Sequence, residues 1–253
     1  MPLKIDIEEL RERYTKSYVR GLKSMFRGRE TILEEILKIG TGNSQGPLWI
    51  AGGGVYRPPI EEESGVKTKR ATDSEGKEII DVDIVVSQLS QKPYSPKVHG
   101  WSEWRTRFGN TSFRKNGYNV VIMDLSSFPT LAARNLKPTI ENFLTTTPLN
   151  IQSIAVPIGD DPYETRLIGD IGILAIYKRE VKINDLREGV DRALREWRYE
   201  AQNQNIDLEE FERYIIGINL NPLVIESVKR KAEELGFGYD LTLPLEENPG
   251  QAS

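Results

Sequence analysis

The sequence predicts an α/β fold, with α+β as its variant. It would have a mixed central sheet, N-terminal helices and a C-terminal helical region. Three observations carry this. Runs of β-branched residues at 79–86 and 118–124 read as strands, the second apolar enough to be buried on both faces. Apolar residues recur at spacings of three and four near the N-terminus, which predicts amphipathic helices. The same period returns over the last third of the chain.

Taken in order, Ile7, Leu10, Tyr14, Tyr18, Leu22 and Met25 fall on one face of a first helix, which Gly28 interrupts. Ile32, Leu33, Ile36 and Leu37 begin a second helix, with Gly40 expected to end it. A short strand at 48–51 runs into Gly52-Gly53-Gly54, and the charged, turn-rich stretch 56–77 reads as an exposed excursion. A helix over 130–144 should be kinked or divided by Pro138. Two further strands, 151–158 and 171–177, flank the turn Gly159-Asp160-Asp161-Pro162 and are expected to pair as a hairpin. Ile183, Leu186, Val190, Leu194, Trp197 and Ala201 form a helical stripe. Asp207 then caps a helix over 208–218, and Asn221-Pro222 opens one that ends at Leu235-Gly236. The predicted organisation is a core domain at 1–182, with a basic-aromatic insertion at about 92–117, and an acidic helical region at 183–253 packed on that core.

Composition narrows the chemistry. The 253 residues include no Cys, which excludes disulfides, a thiol nucleophile, thiolate zinc sites and iron–sulfur clusters. A single His excludes a His-rich metal site. Oxygen ligands, hydroxyls, Lys and one imidazole remain. No apolar run approaches the roughly 18 residues of a membrane helix. The first residues lack a hydrophobic signal region, so the expected location is cytoplasmic, or inside a virion or other assembly. The net charge of −4 is unevenly spread. Residues 183–253 hold eight Lys/Arg against fifteen Asp/Glu, a net of −7, whereas 92–118 holds six basic residues against Glu103 alone.

Three features suit chemistry. Asp81 and Asp83 alternate on a strand, so their carboxylates share a face roughly 6–7 Å apart, where Mg²⁺ or Mn²⁺ finds the oxygen ligands it needs. The plainer alternative is a strand end with both acids in water. Asp124 ends the most apolar strand, where acids often line the ligand crevice of α/β sheets; its alternative role is to cap the following helix. The segment from His99 to Lys115 interleaves Trp101, Trp104, Phe108 and Phe113 with Arg105, Arg107, Arg114 and Lys115. Bases stack on aromatic faces while cations neutralise phosphates, which suits nucleic acid, DNA and RNA being equally compatible. The alternative there is a long loop pinned by its aromatics. His99 is a candidate proton carrier beside this segment. Gly52-Gly53-Gly54 would let backbone approach a phosphate but lacks the P-loop ending, and a tight turn explains it equally.

The order helix, three strands, helix, strand, with acids on the second and third strands, resembles the restriction-endonuclease-like nucleases. That resemblance implies a Mg²⁺-dependent nuclease acting on phosphodiesters, with Asp83 and Asp124 as the two acids and Glu34 or Glu35 as a helix-borne ligand. Asp124-Leu125-Ser126 lacks the family's Lys, for which Lys115 is the nearest substitute. A second resemblance, to archaeo-eukaryotic primases, rests on Asp81, Asp83, His99 and Asp124 in that order and implies nucleotidyl transfer. The site would then comprise metal ligands Asp81, Asp83 and Asp124, catalytic Lys115, and nucleic acid held by Trp101, Trp104, Arg105, Arg107, Arg114 and Lys115. A third reading needs no catalysis: a homo-oligomer or larger viral, tail-like or effector assembly, in which the acidic region docks head to tail on the basic segment.

Overall fold

Asp6 opens the first helix, α1 (Ile7–Met25): its carboxylate accepts from the backbone N–H of Glu8 and of Glu9, satisfying donors that have no partner within the helix. The computed structural model describes residues 5–65, 68, 76–106, 109–179 and 184. After α1 come α2 (Glu30–Asn43), β1 (Leu48–Ala51), α3 (Gly53–Ser64) and β2 (Ile80–Val86). The hairpin β3 (Ser102–Arg105) and β4 (Thr111–Lys115) follows, then β5 (Tyr118–Asp124), α4 (Pro129–Ala133), α5 (Ile140–Leu144), β6 (Ala155–Pro157) and α6 (Asp170–Lys178).

The six strands form one mixed sheet in the order β3-β4-β5-β2-β1-β6. β2 and β5 run parallel at its centre, and every other neighbouring pair is antiparallel. Because side chains alternate, each strand sends one set of residues to each face. Leu48 and Ile50, Val82, Ile84 and Val86, Val120 and Ile122, and Phe113 pack with Tyr14, Tyr18, Ile36, Val55 and Ile173 from α1, α2, α3 and α6. The opposite set, Ala51, Val85, Met123 and Ala155, packs with Leu131, Ile140, Phe143 and Leu144 around α4 and α5. The mixed α/β architecture is therefore the expected one, with helices on both faces. No helix among the described residues is long and apolar enough to cross a membrane.

Several local expectations are corrected. The stretch from residue 56 is not an excursion: α3 occupies Gly53–Ser64 despite Pro58 and Pro59. Those prolines remove two backbone donors, but α3 packs tightly on α1, where a β-carbon at Gly21 would fall 2.3 Å from Pro58 Cβ. Gly40 does not end α2. It is buried inside the helix, where a β-carbon would lie 2.9 Å from Leu48 Cδ1, so it permits close approach to the sheet. Residues 171–177 form a helix and not a strand, so the expected hairpin is absent: a short apolar run does not distinguish a strand from a buried helix. Gly172 lets α6 press on the backbone at Ser153, 2.7 Å from where a β-carbon would sit. Pro138 does divide the 130–144 segment, and Thr139 caps the second piece by accepting from the Asn142 N–H. The helical region at 183–253, with its stripe and its proposed docking, lies outside the described residues apart from Asn184.

Candidate active site

The turn from β1 into α3 is built by glycine. Gly52 sits at φ 66° and ψ −143°, a conformation that side chains rarely tolerate, and it lets the chain reverse directly into the first turn of α3. A β-carbon there would fall 3.0 Å from Asp83 Oδ2, so the carboxylate of β2 lies against the glycine turn. On Gly53 a β-carbon would fall 2.5 Å from Arg57 Nη1, which places a guanidinium one turn along the helix over the same bend. The first N–H groups of a helix lack acceptors within it, and its N-terminus carries partial positive charge, so anions are favoured beside such a turn.

Asp81 and Asp83 share the sheet face that carries Val85, at the end of β2 nearest this turn. Asp81 Oδ1 accepts from Asn119 Nδ2 at 2.7 Å, and Asn119 Oδ1 accepts from Ser112 Oγ at 2.9 Å. Ser112 and Asn119 are both buried, so the orientation of Asp81 is set by a closed relay across three strands. Asp83 lines a cavity of about 440 Å³ with Gly52, Gly53, Asn110, Met123, Phe128 and Gln152 among its walls. That volume falls within the range of small-molecule sites, and an apolar wall facing a few polar groups is their usual make-up.

The oxygen donors fit a divalent cation. Mg²⁺ commonly takes one or two carboxylates and completes its shell with water and substrate phosphates. Asp81 and Asp83 offer two such groups, and no cluster of three acids or imidazoles occurs among the described residues.

Strand register separates the other expected site residues. Asp124 is the register partner of Val86, three positions along β2 from Asp83 and on the opposite face. Its carboxylate is occupied locally, accepting from Ser126 N–H, Ser126 Oγ and Ser127 Oγ, as the cap of a single 3₁₀ turn. Lys115 also faces the helices and not the cavity. Its Nζ lies 2.7 Å from Glu35 Oε2, and Trp101 Nε1 donates to the same oxygen at 2.8 Å. Burial opposes the charge on Glu35, but the hydrogen bonds from Lys115 and Trp101 outweigh it and hold its pKa below the usual carboxylate value, with the Lys115 charge and His99 adding to the effect. Trp101 is buried, so it is unavailable for stacking. His99 lies on that side too, exposed, with its ring 6.5 Å from that of Tyr94. Arg105 donates to the Gly109 carbonyl across the β3–β4 turn. Glu34 is an exposed residue of α2, and Arg107 lies outside the described residues.

Trp104 and Arg114 are different. Both are exposed, the Arg114 guanidinium lies 5.1 Å from the Trp104 ring centre, and register places both on the face of Asp81 and Asp83. The sequence therefore held more of this site than its motifs advertised. A strand, three glycines and then Asp-x-Asp on the next strand is the readable signal, while the helix between them was hidden by its prolines. Asn119 and Arg57 carried no signal apart from their place beside those elements.

No protein family and no curated protein matches this sequence. Solved structures do. A CCA-adding enzyme in complex with ATP is 16% identical and matches over 84% of this chain and 49% of its own, with a TM-score of 0.51. A CCA-adding enzyme with CTP is 15% identical over 83% of this chain and 49% of its own, at 0.48. The Thermotoga maritima CCA-adding enzyme with tRNA is 15% identical over 81% and 42%, at 0.44. The chain thus spans about half the length, or less, of these solved chains. At this identity the ATP complex shows a shared fold. It overturns the resemblance to restriction-endonuclease-like nucleases, because the fold shared is that of a CCA-adding enzyme. The structure gives the physical reason: Asp124 and Lys115, on which that resemblance leaned, lie on the opposite sheet face from Asp83.

Proposed function

We propose that this chain carries out metal-dependent nucleotidyl transfer, from a nucleoside triphosphate to a hydroxyl of a polynucleotide strand, RNA being the acceptor the fold neighbours favour. The observation that carries the reading is the Asp83 carboxylate set against the glycine turn that opens α3, at the wall of a nucleotide-sized cavity. The fold shared with an ATP-bound CCA-adding enzyme supports the same chemistry.

In this reading the triphosphate lies at the N-terminus of α3, where the Gly52-Gly53 backbone allows close approach and Arg57 adds positive charge. Its nucleoside extends along the apolar wall of Met123 and Phe128. Asp81 and Asp83 would hold Mg²⁺ or Mn²⁺, which supplies charge neutralisation at the phosphates and a more acidic attacking hydroxyl. Asn119, fixed by Ser112, keeps one Asp81 oxygen engaged and so sets the orientation of that carboxylate. Attack of the strand hydroxyl on the α-phosphorus forms a phosphodiester, breaks the α–β anhydride and releases pyrophosphate and a proton.

The test is extension of a labelled RNA oligonucleotide by the full chain with ATP or CTP and Mg²⁺. Lengthening that Asp83→Asn and Asp81→Asn each reduce by about a hundredfold or more, without unfolding the chain, is the expected result. Extension that survives both substitutions, or none in the unaltered chain, overturns the proposal.

A further inference from the structure

The open part of the sheet has a direction. Trp104, Ser112, Val121 and Asp83 are successive register partners on β3, β4, β5 and β2, forming one straight row across the sheet. The next row is Ser102, Arg114, Asn119 and Asp81. Each row therefore begins at an acid of the proposed transfer site and ends at the edge hairpin. That hairpin belongs to the basic stretch of the chain, where six Lys/Arg stand against one acid.

At its far end the hairpin exposes an indole with a cation beside it. Trp104 is 39% exposed, whereas Trp101, three residues earlier, is 2% exposed and hydrogen-bonded to Glu35. A single exposed aromatic is ordinary on a protein surface; what marks Trp104 is the guanidinium beside it and its place on the face of Asp81 and Asp83. Arg114 lies against the same ring and is exposed, whereas its neighbours Glu103 and Lys115 pair with Lys97 and Glu35. An aromatic face with an adjoining guanidinium is the combination that holds single-stranded nucleic acid: the ring stacks on a base, and the cation neutralises the phosphate beside it.

We infer that the acceptor strand lies along these rows, with its terminal hydroxyl at Asp81 and Asp83 and an upstream base stacked on Trp104 beside Arg114. Three strand-to-strand steps of about 4.8 Å put the indole roughly 14 Å from the acids. Stacked nucleotides advance about 3.4 Å each, so the platform meets a base about four positions back from the growing end. The inference takes the strand's direction from the transfer reading, and its affinity from Trp104 and Arg114 alone. The occupant is an unpaired 3′ segment, because a duplex would bury the base faces that the indole needs.

The experiment measures binding of labelled single-stranded RNA of one to eight nucleotides to the full chain, by fluorescence anisotropy at low salt and without nucleotide. Affinity should climb until about four or five nucleotides and then level off. Trp104→Ala should leave the shortest strands unchanged and weaken the longer ones about tenfold, removing the step in the length series. Trp104→Phe, which keeps an aromatic face, should retain most of that step and guards against a folding artefact. Arg114→Ala should flatten the salt dependence. A length series identical in Trp104→Ala and the unaltered chain overturns the inference, as does failure of every oligonucleotide to bind. Failure of the transfer reading looks different: strands bind with the Trp104 step intact, yet ATP with Mg²⁺ neither binds nor extends them.

Discussion

The two faces of the central sheet use the same kinds of residue for opposite ends. On the face covered by α1, α2, α3 and α6, Trp101, Lys115 and Glu35 meet one another, and their hydrogen bonds hold α2 against the β3–β4 hairpin. On the other face, Trp104, Arg114, Asp81 and Asp83 stand in two register rows beside a cavity and a glycine turn. Lys115 and Arg114 are adjacent in the chain, and Trp101 and Trp104 are three apart. What separates them is the two-residue period of the strand, which sends neighbours to different solvents. Aromatic and charged composition marks a segment; only register says which of its residues can meet a ligand.

Substitutions at matched positions on the two faces should break or sharpen this contrast. The largest effect is expected from Asp83→Asn, which removes a carboxylate from the transfer site and should lower turnover by several kcal/mol of barrier, about a hundredfold or more. Its melting temperature should stay near that of the unaltered chain, and activity loss that merely tracks unfolding would count against the assignment. Trp101→Ala should show the reverse pattern. Emptying a buried indole site costs about 3–5 kcal/mol in chemical denaturation, whereas Trp104→Ala on the open face should stay within about 0.5 kcal/mol. Equal costs for the two would erase the distinction between the faces.

Gly52→Ala comes next. The backbone at φ 66° and ψ −143° and the 3.0 Å approach to Asp83 predict about 1–3 kcal/mol of strain, together with weaker binding of ATP. Gly65→Ala, also at positive φ but with nothing within 4 Å, should leave ATP binding unchanged. Lys115→Ala should cost an amount similar to Gly52→Ala, about 1–3 kcal/mol at neutral pH, against a negligible change for Arg114→Ala. Because the Glu35 pKa is held below its unfolded value, the stabilisation from this pair is complete above the ordinary carboxylate range and is lost as pH falls through the lowered pKa. The gap between Lys115→Ala and the unaltered chain should therefore narrow in acid and persist at neutral pH.

Much of this was legible beforehand and some was not, for identifiable reasons. The paired acids of β2 stood out because they interrupt an apolar strand, and alternation already put them on one face. The α1 stripe was legible because Tyr14, Tyr18 and Leu22 recur at helical spacing and are all buried. Residues 171–177 misled because Ile-Gly-Ile-Leu-Ala-Ile is apolar at every phase, so no period distinguishes helix from strand. Pro58 and Pro59 hid α3, so the strand and Gly52-Gly53-Gly54 before them read only as a turn where backbone could approach a phosphate. Asp124 was drawn into the site by its place at a strand end. The pairing of Val86 with Asp124, which sends it to the opposite face, depends on a parallel register between strands 38 residues apart. Nothing local in the sequence states that register.

The most direct test of the account is calorimetric titration of ATP, with Mg²⁺ present, into the unaltered chain and into Asp83→Asn and Asp124→Asn variants. Binding should weaken at least tenfold in Asp83→Asn and stay unchanged in Asp124→Asn, since only the former faces the cavity. Equal weakening by the two substitutions, or binding indifferent to Asp83, would contradict the placement of the transfer site on this face of the sheet.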